Sequence, residues 1–135
     1  MENVINVCDF FSKDNEENGK WYEAKVRGVG TGIEFKIYGP NSSAASVASE
    51  RYQKARDEIN KMEDVKAKSE ATDKMLAEYA AALVCDIRGK DGQKLVNKDG
   101  SEVTVKDVKT ILYNAPVIAS DIAKFETNQN NFLSD

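Results

Sequence analysis

The sequence contains no histidine and only two cysteines among its 135 residues. The absence of histidine removes the side chain most often used as a general base and as a metal ligand. Cys8 and Cys85 lie far apart, show no CxxC spacing and cannot complete a four-ligand zinc site without histidine. We therefore expect both cysteines to be reduced, small apolar residues of a cytosolic protein.

The sequence also lacks long apolar runs and an excess of positive charge. No segment approaches the ~20 apolar residues of a membrane span, and no basic residue precedes Lys13, which argues against a secretory signal. Nineteen basic and 23 acidic residues give a net charge of -4, whereas nucleic-acid-binding proteins normally carry a basic stripe. We expect no nucleic-acid partner and no membrane partner.

Two glycine-containing runs partly resemble known ligand-binding motifs, but neither has the required spacing. The run 28–32 does not match a dinucleotide fingerprint, because the third glycine would fall at Ile33 and a strand follows. The run 97–100 does not match a calcium loop, because Leu95 and Lys106 would occupy the first and twelfth ligand positions. Both runs are interpreted as turns, and we expect no enzyme activity, no catalytic residue, no metal site and no cofactor.

Alternating apolar residues predict a β-hairpin over residues 21–38, with the turn in the glycine-rich run 28–32. Two strands alone are only marginally stable, so their apolar face must pack on helices or on another chain. The apolar faces consist of Tyr22, Ala24 and Val26 in the first strand and Ile33, Phe35 and Ile37 in the second.

Apolar spacings of three and four residues predict about four helices after the hairpin. The first would be capped within the run 41–43, and the second by Ser69 or Thr72. Thr104 begins the third with a pattern that resembles a capping box, and Pro116 begins the fourth. The predicted helices lie near residues 43–66, 70–88, 104–113 and 116–127.

The predicted fold class is α+β: an N-terminal β-hairpin followed by a mainly α-helical part, within a single domain of residues 1–135. Residues 1–20 would form a leader and polar linker, with a short apolar stretch before residue 12. Residues 43–127 would form the helical part, and residues 128–135 a polar tail. The loop after residue 88 has two Asp-Gly turn signals and room for a short hairpin around residues 95–96.

The C-terminal apolar residues are candidates for a contact surface with a partner or with neighbouring copies. Ile118, Ile122 and Phe125 share one helical stripe, and Phe132 and Leu133 form an apolar pair in a polar tail. The alternative is that these residues dock back on their own core and anchor the terminus.

Short motifs, in order, resemble those of the tail assembly chaperones of long-tailed bacteriophages. Residues 32–42 (GIEFKIYGPNS) resemble that family's strand, Gly-Pro and helix cap, and residues 82–89 (ALVCDIRG) resemble its helix end. An Asp-Gly loop, a helix, Pro116 and the closing runs 122–125 and 131–133 follow. The resemblance covers about residues 20 to 135, and the chain departs from it in a more polar leader and in a non-aromatic residue 87.

The resemblance implies an interaction protein that coats the long, helical tape-measure protein, keeps it soluble and helps recruit tail-tube subunits. Such chaperones act in the cytoplasm of the bacterial host and are absent from the finished virion. Many are made in two lengths, and this chain resembles the short form. A virion structural protein of the head-tail or tail-tube region and a small unrelated adaptor remain alternatives, and a homo-oligomer is compatible with each.

Overall fold

A three-stranded antiparallel sheet and five α-helices make up residues 3–133, the part of the chain that this computed structural model describes. The predicted α+β class is confirmed. The outer residues of the predicted leader and tail, 1–2 and 134–135, lie outside the described residues. The elements are α1 (Lys13–Asn18), β1 (Lys20–Val26), β2 (Val29–Ile37), α2 (Ser43–Asn60), α3 (Val65–Ala82), β3 (Val84–Gly89), α4 (Val108–Asn114) and α5 (Pro116–Thr127).

The predicted hairpin is present as β1 and β2, and its apolar face lies against the helices. Ala24, Phe35 and Ile37 are fully buried in the core, while Tyr22 and Ile33 pack at its edge. The alternation of apolar residues therefore correctly predicted which face of each strand is buried.

The hairpin turn is shorter than predicted. Arg27 and Gly28 both have positive φ, 55° and 78°, and form a two-residue turn of the kind that matches the twist of the flanking strands. The predicted turn was wrong for Gly30 and Gly32, which belong to β2. The Glu23 side chain occupies the space where a side chain of Gly30 would stand, and it accepts a hydrogen bond from Gly32 N at 3.0 Å.

The prediction of a helix through residue 88 was wrong, because residues 84–89 form the third strand, β3. This strand pairs antiparallel with β2, so that Ile87 lies opposite Phe35. A shift in register places Val84 and Ile87 on the buried side although they are three residues apart. This bulge gives a strand the spacing expected of a helix, which explains why the pattern was misread.

The two long helices, α2 and α3, are separated earlier in the chain than predicted. Ser42 caps α2 by accepting a hydrogen bond from Ala45 N, as expected. Helix α2 ends at Asn60, however, and Asp64 caps α3 rather than Ser69 or Thr72. Residues 61–70 are all exposed, so this stretch has no apolar stripe with which to mark the helix boundary.

The last two helices begin near the predicted residues. Thr104 N donates a hydrogen bond to the Asp107 carboxylate at 2.8 Å, and this capping interaction precedes a 3₁₀ turn that leads into α4. Pro116 opens α5, as predicted. The short hairpin predicted around residues 95–96 is present as a bridge between Val96 and Glu102.

The predicted polar linker was wrong for residues 13–18, which form α1 and dock on the segment between β2 and α2. Glu16 of α1 is only 2% exposed. Its carboxylate accepts hydrogen bonds from Ser12 Oγ at 2.8 Å and from Asn41 N at 2.9 Å. It also packs so closely on Gly39 that a side chain there would overlap it. The run 39–42 (Gly-Pro-Asn-Ser) thus has a structural role, because α1 packs on it.

Candidate partner-binding site

The C-terminal residues predicted to contact a partner lie mostly within the core of their own chain. Ile122 and Phe132 are fully buried and Ile118 is nearly so, whereas Phe125 and Leu133 are half-buried. A partner cannot reach the three buried side chains in this conformation. A binding role for the five residues stays a prediction.

The C-terminal tail packs on α5, which contacts β1, and forms a hydrogen bond with α1. Phe125 stacks on Tyr22 with ring centroids 4.4 Å apart, and Phe132 meets Phe125 edge-on at 5.4 Å. Asn15 of α1 donates a hydrogen bond to Phe132 O at 2.9 Å. This arrangement corresponds to the alternative in which the apolar pair anchors the terminus.

A groove of about 470 Å³ runs between α3 and α4. Ala67, Ala71 and Ala77 line it from α3, and Tyr113, which is exposed, lines it from α4. Small side chains along one helix let a second helix approach closely. The groove also has charges of both signs: Glu70, Lys74, Glu78 and Lys109.

A second groove, of about 360 Å³, lies between α3 and α2 and shares Glu78 and Lys109 with the first. Its lining includes Ala48, Tyr52 and Ala55 of α2 and Met75 of α3. Tyr52 and Tyr79 both line the groove, and their rings meet edge-on at 5.1 Å. Its ionisable lining residues are Arg51, Glu78 and Lys109, besides the two tyrosines.

The outer face of the sheet has two pairs of oppositely charged side chains. The Arg88 guanidinium lies 3.8 Å from the centre of the Trp21 ring, and its Nε donates a hydrogen bond to Glu34 at 2.7 Å. Glu23 forms an ion pair with Lys90 at 3.3 Å. A larger hollow of about 890 Å³ beside β3 has mostly charged and polar side chains and does not offer a continuous apolar floor.

Two buried carboxylates lie near each other where the two ends of the chain meet. Glu126 of α5 is 4% exposed, and Tyr79 Oη donates to it over a long 3.5 Å. Burial raises the pKa of Glu126, the hydrogen bond from Tyr79 offsets part of this rise, and the negative charge of Glu16 adds to it. Burial and the Glu126 carboxylate raise the pKa of Tyr79 to about 12. Because the tyrosine stays protonated, it acts as a hydrogen-bond donor rather than a base.

No family model, curated protein or solved structure matches the chain. Within residues 3–133, no group of three or more Cys, Asp or Glu side chains has a geometry that could hold a metal ion. No helix in the same range is both long enough and apolar enough to cross a bilayer.

The sequence interpretation missed these grooves because it searched for large apolar residues. The apolar part of their walls includes several alanines, and Ala67 and Ala71 lie in a stretch where the large apolar pattern fails. The sequence signal for the α3–α4 groove is the pair Ala67 and Ala71, four residues apart in an otherwise polar segment. Four residues separate neighbours on one helical face, so this pair marks a shallow strip on α3.

Proposed function

We propose that the chain is a tail assembly chaperone of a long-tailed bacteriophage, in the short form, which binds the helical tape-measure protein and keeps it soluble. It helps recruit tail-tube subunits in the host cytoplasm and is released before the virion is complete. The order of motifs between about residues 20 and 135 supports this proposal. The structural observation that carries it is the alanine-lined groove between α3 and α4.

The α3–α4 groove has the size and chemistry to take one face of an amphipathic helix. Its alanines offer close approach to apolar side chains, and Tyr113 offers a flat aromatic wall. Lys74 and Glu70 can meet charges of either sign on the polar flanks of such a helix. A tape-measure protein presents many amphipathic segments of this general kind, so one groove can serve repeated sites.

A single groove of this size gives a weak contact, which suits a chaperone that must later leave. Stable protein interfaces bury roughly 800 Å² on each partner, more than one short helical face offers. Many copies bound along one long partner would nevertheless protect it, because their weak contacts act together. Displacement by tail-tube subunits then needs to break only one weak contact at a time.

Co-expression with the candidate tape-measure protein of the same phage tests the proposal through the soluble fraction of that protein. The wild-type chain should raise this fraction, and Ala71→Arg should abolish the increase because the long side chain fills the groove. Ala123→Arg is the matched control, since Ala123 is also a half-buried helical alanine but lies outside the groove. An insoluble tape-measure protein in the presence of the wild-type chain would contradict the chaperone function.

Two further outcomes of the same work separate the alternatives. If the wild-type chain solubilises the tape-measure protein and Ala71→Arg does so equally well, the function stands but the groove is the wrong surface. Mass spectrometry of purified virions distinguishes a chaperone from a structural protein. A chaperone should be absent from the particle, whereas a head-tail or tail-tube component should be present in fixed copy number.

A further inference from the structure

The α3–α4 groove contains four charged side chains that form no ion pair with any residue in the described range 3–133. Three of them, Glu70, Lys74 and Glu78, belong to α3, and the fourth, Lys109, belongs to α4. All four are exposed to solvent. They are therefore available to a partner that brings the opposite charges.

The lack of pairing along α3 does not follow from the spacing of its charges. Glu70 and Lys74 stand four residues apart with the acid first, which is the more favourable order for an ion pair within a helix. On α2, Glu50 and Lys54 have the same spacing and the same order, and their charged atoms lie 3.5 Å apart. The α3 charges thus keep their capacity for pairing with another molecule.

The three α3 charges alternate in sign along one row of the helix. Glu70, Lys74 and Glu78 stand at i, i+4 and i+8, so successive charges are about 6 Å apart along the helix axis. Rows of this spacing are the ridges through which helices pack, and in the commonest packing class the i±4n ridges of two helices interdigitate at a crossing angle of about −50°. A helix that enters the groove in this way places its own i, i+4, i+8 row beside the three charges.

The arrangement of the charges, rather than their sum, distinguishes one partner from another. The groove lining has two acidic and two basic side chains, so its net charge is zero. A partner row with the signs basic, acidic, basic meets each α3 charge with its opposite. The reversed row places like charges together at each of the three contacts, and such juxtapositions suppress wrong partners.

We infer that the α3–α4 groove selects tape-measure segments in which a basic, an acidic and a basic residue stand four residues apart beside an apolar stripe. The inference rests on the proposed function for the identity of the partner. Ala67 and Ala71 line the same groove and receive the apolar stripe. The charge pattern reads the same in both directions, so it specifies the charges of the partner but not the direction of its helix.

Binding of two synthetic helical peptides to the purified full chain tests the inference without a tape-measure protein. Both peptides have the same apolar stripe and the same composition. One has a Lys-Glu-Lys row at i, i+4 and i+8 beside the stripe, and the other has Glu-Lys-Glu there, with the exchanged residues on the opposite face.

Fluorescence anisotropy should show a preference for the Lys-Glu-Lys peptide that depends on salt. At an ionic strength of about 0.01 M this peptide should bind at least about fivefold more tightly than the Glu-Lys-Glu peptide. At about 1 M the difference should fall below about twofold, because salt screens exposed charges.

Reversing the signs on α3 should reverse the preference. The triple variant Glu70→Lys, Lys74→Glu, Glu78→Lys should bind the Glu-Lys-Glu peptide more tightly, by a similar factor. The matched control, Glu50→Lys with Lys54→Glu, exchanges the signs of an exposed pair on α2 outside the groove and should leave the preference unchanged. All five substituted residues are exposed, and an unchanged thermal midpoint verifies that the variants fold.

Three results would overturn the inference. One is equal affinity of the two peptides for the wild-type chain, and another is a preference that the triple variant leaves unchanged. The third is the absence of binding by either peptide up to about 1 mM, a concentration at which even a weak contact is measurable.

Failure of the proposed function would give a different result. If the wild-type chain solubilises the tape-measure protein but shows no preference between the peptides, the charge pattern is wrong and the chaperone function stands. If the preference is present but the tape-measure protein stays insoluble, the groove selects helices by their charges and the chaperone function is wrong.

Discussion

Glu126 shows how a single buried carboxylate makes stability depend on pH. Burial and the neighbouring Glu16 carboxylate raise the pKa of Glu126 above its ordinary value of 4.5. The folded state therefore holds this proton more tightly than the unfolded chain does. The resulting stabilisation is present below pH 4.5 and is lost as the pH rises through the higher pKa of the folded state.

Replacing Glu126 by glutamine should raise the midpoint of thermal unfolding at pH 7. The amide keeps an acceptor for Tyr79 and removes the buried charge, and a gain of about 1 kcal/mol would raise the midpoint by roughly 3 °C. The difference from wild type should shrink as the pH is lowered towards 4.5. Glu63→Gln, in the exposed connection between α2 and α3, is the control and should have no such effect. A less stable Glu126→Gln at pH 7 would contradict this account of the site.

At the scale of elements, α1 is held by its contact with the connection between β2 and α2. Gly39→Ala should lower the free energy of unfolding by about 2 kcal/mol, because its side chain would overlap Glu16 and overpacking typically costs 1–3 kcal/mol. Urea titration measures the change. Gly28→Ala is the control for backbone strain alone, because Gly28 has a positive φ but open space around it. If Gly39→Ala costs no more than Gly28→Ala, the close packing of α1 is not important for stability.

The hairpin, its inward face, the caps at Ser42 and Thr104 and the start of α5 could be predicted from the sequence. Their signals are local, because alternation, capping side chains and proline each act within a few residues. Strand β3 could not be predicted, because a bulge gives its buried residues the spacing expected of a helix. Helix α1 could not either, because its polar sequence is stabilised by Asn41 and Gly39, which lie more than twenty residues away.

The candidate site was less predictable than the fold. Phe132 is buried and held partly by Asn15, which is distant in the sequence, so the sequence could not distinguish an anchored tail from an exposed one. The grooves depend on the angle and spacing of whole helices. Their alanines carry little signal in a search for large apolar side chains.

At the scale of the whole molecule, the two ends of the chain stabilise each other. Asn15 bonds to Phe132 O, Gln129 bonds to Ser12, and the Phe132 ring enters the common core. The tail is thus part of the folded unit, and a substitution there should act on the protein as a whole.

Phe132→Ala should lower the free energy of unfolding by about 3–5 kcal/mol, the usual cost of deleting a buried phenylalanine ring. Leu133→Ala is the neighbouring control and should cost less, because Leu133 is only half-buried. Chemical denaturation of the two variants provides the comparison. If both variants lose little free energy of unfolding, and by equal amounts, the tail is not anchored in the core. Phe132 would then again be a candidate for partner contact.

The most direct test of the central claim is the copy number of this chain on a co-purified tape-measure protein, measured by light scattering with mass analysis of the complex. The account predicts a soluble complex with many copies per tape-measure chain, and loss of that complex for Ala71→Arg but not for Ala123→Arg. Failure of the wild-type chain to form a soluble complex with the tape-measure protein would contradict the claim.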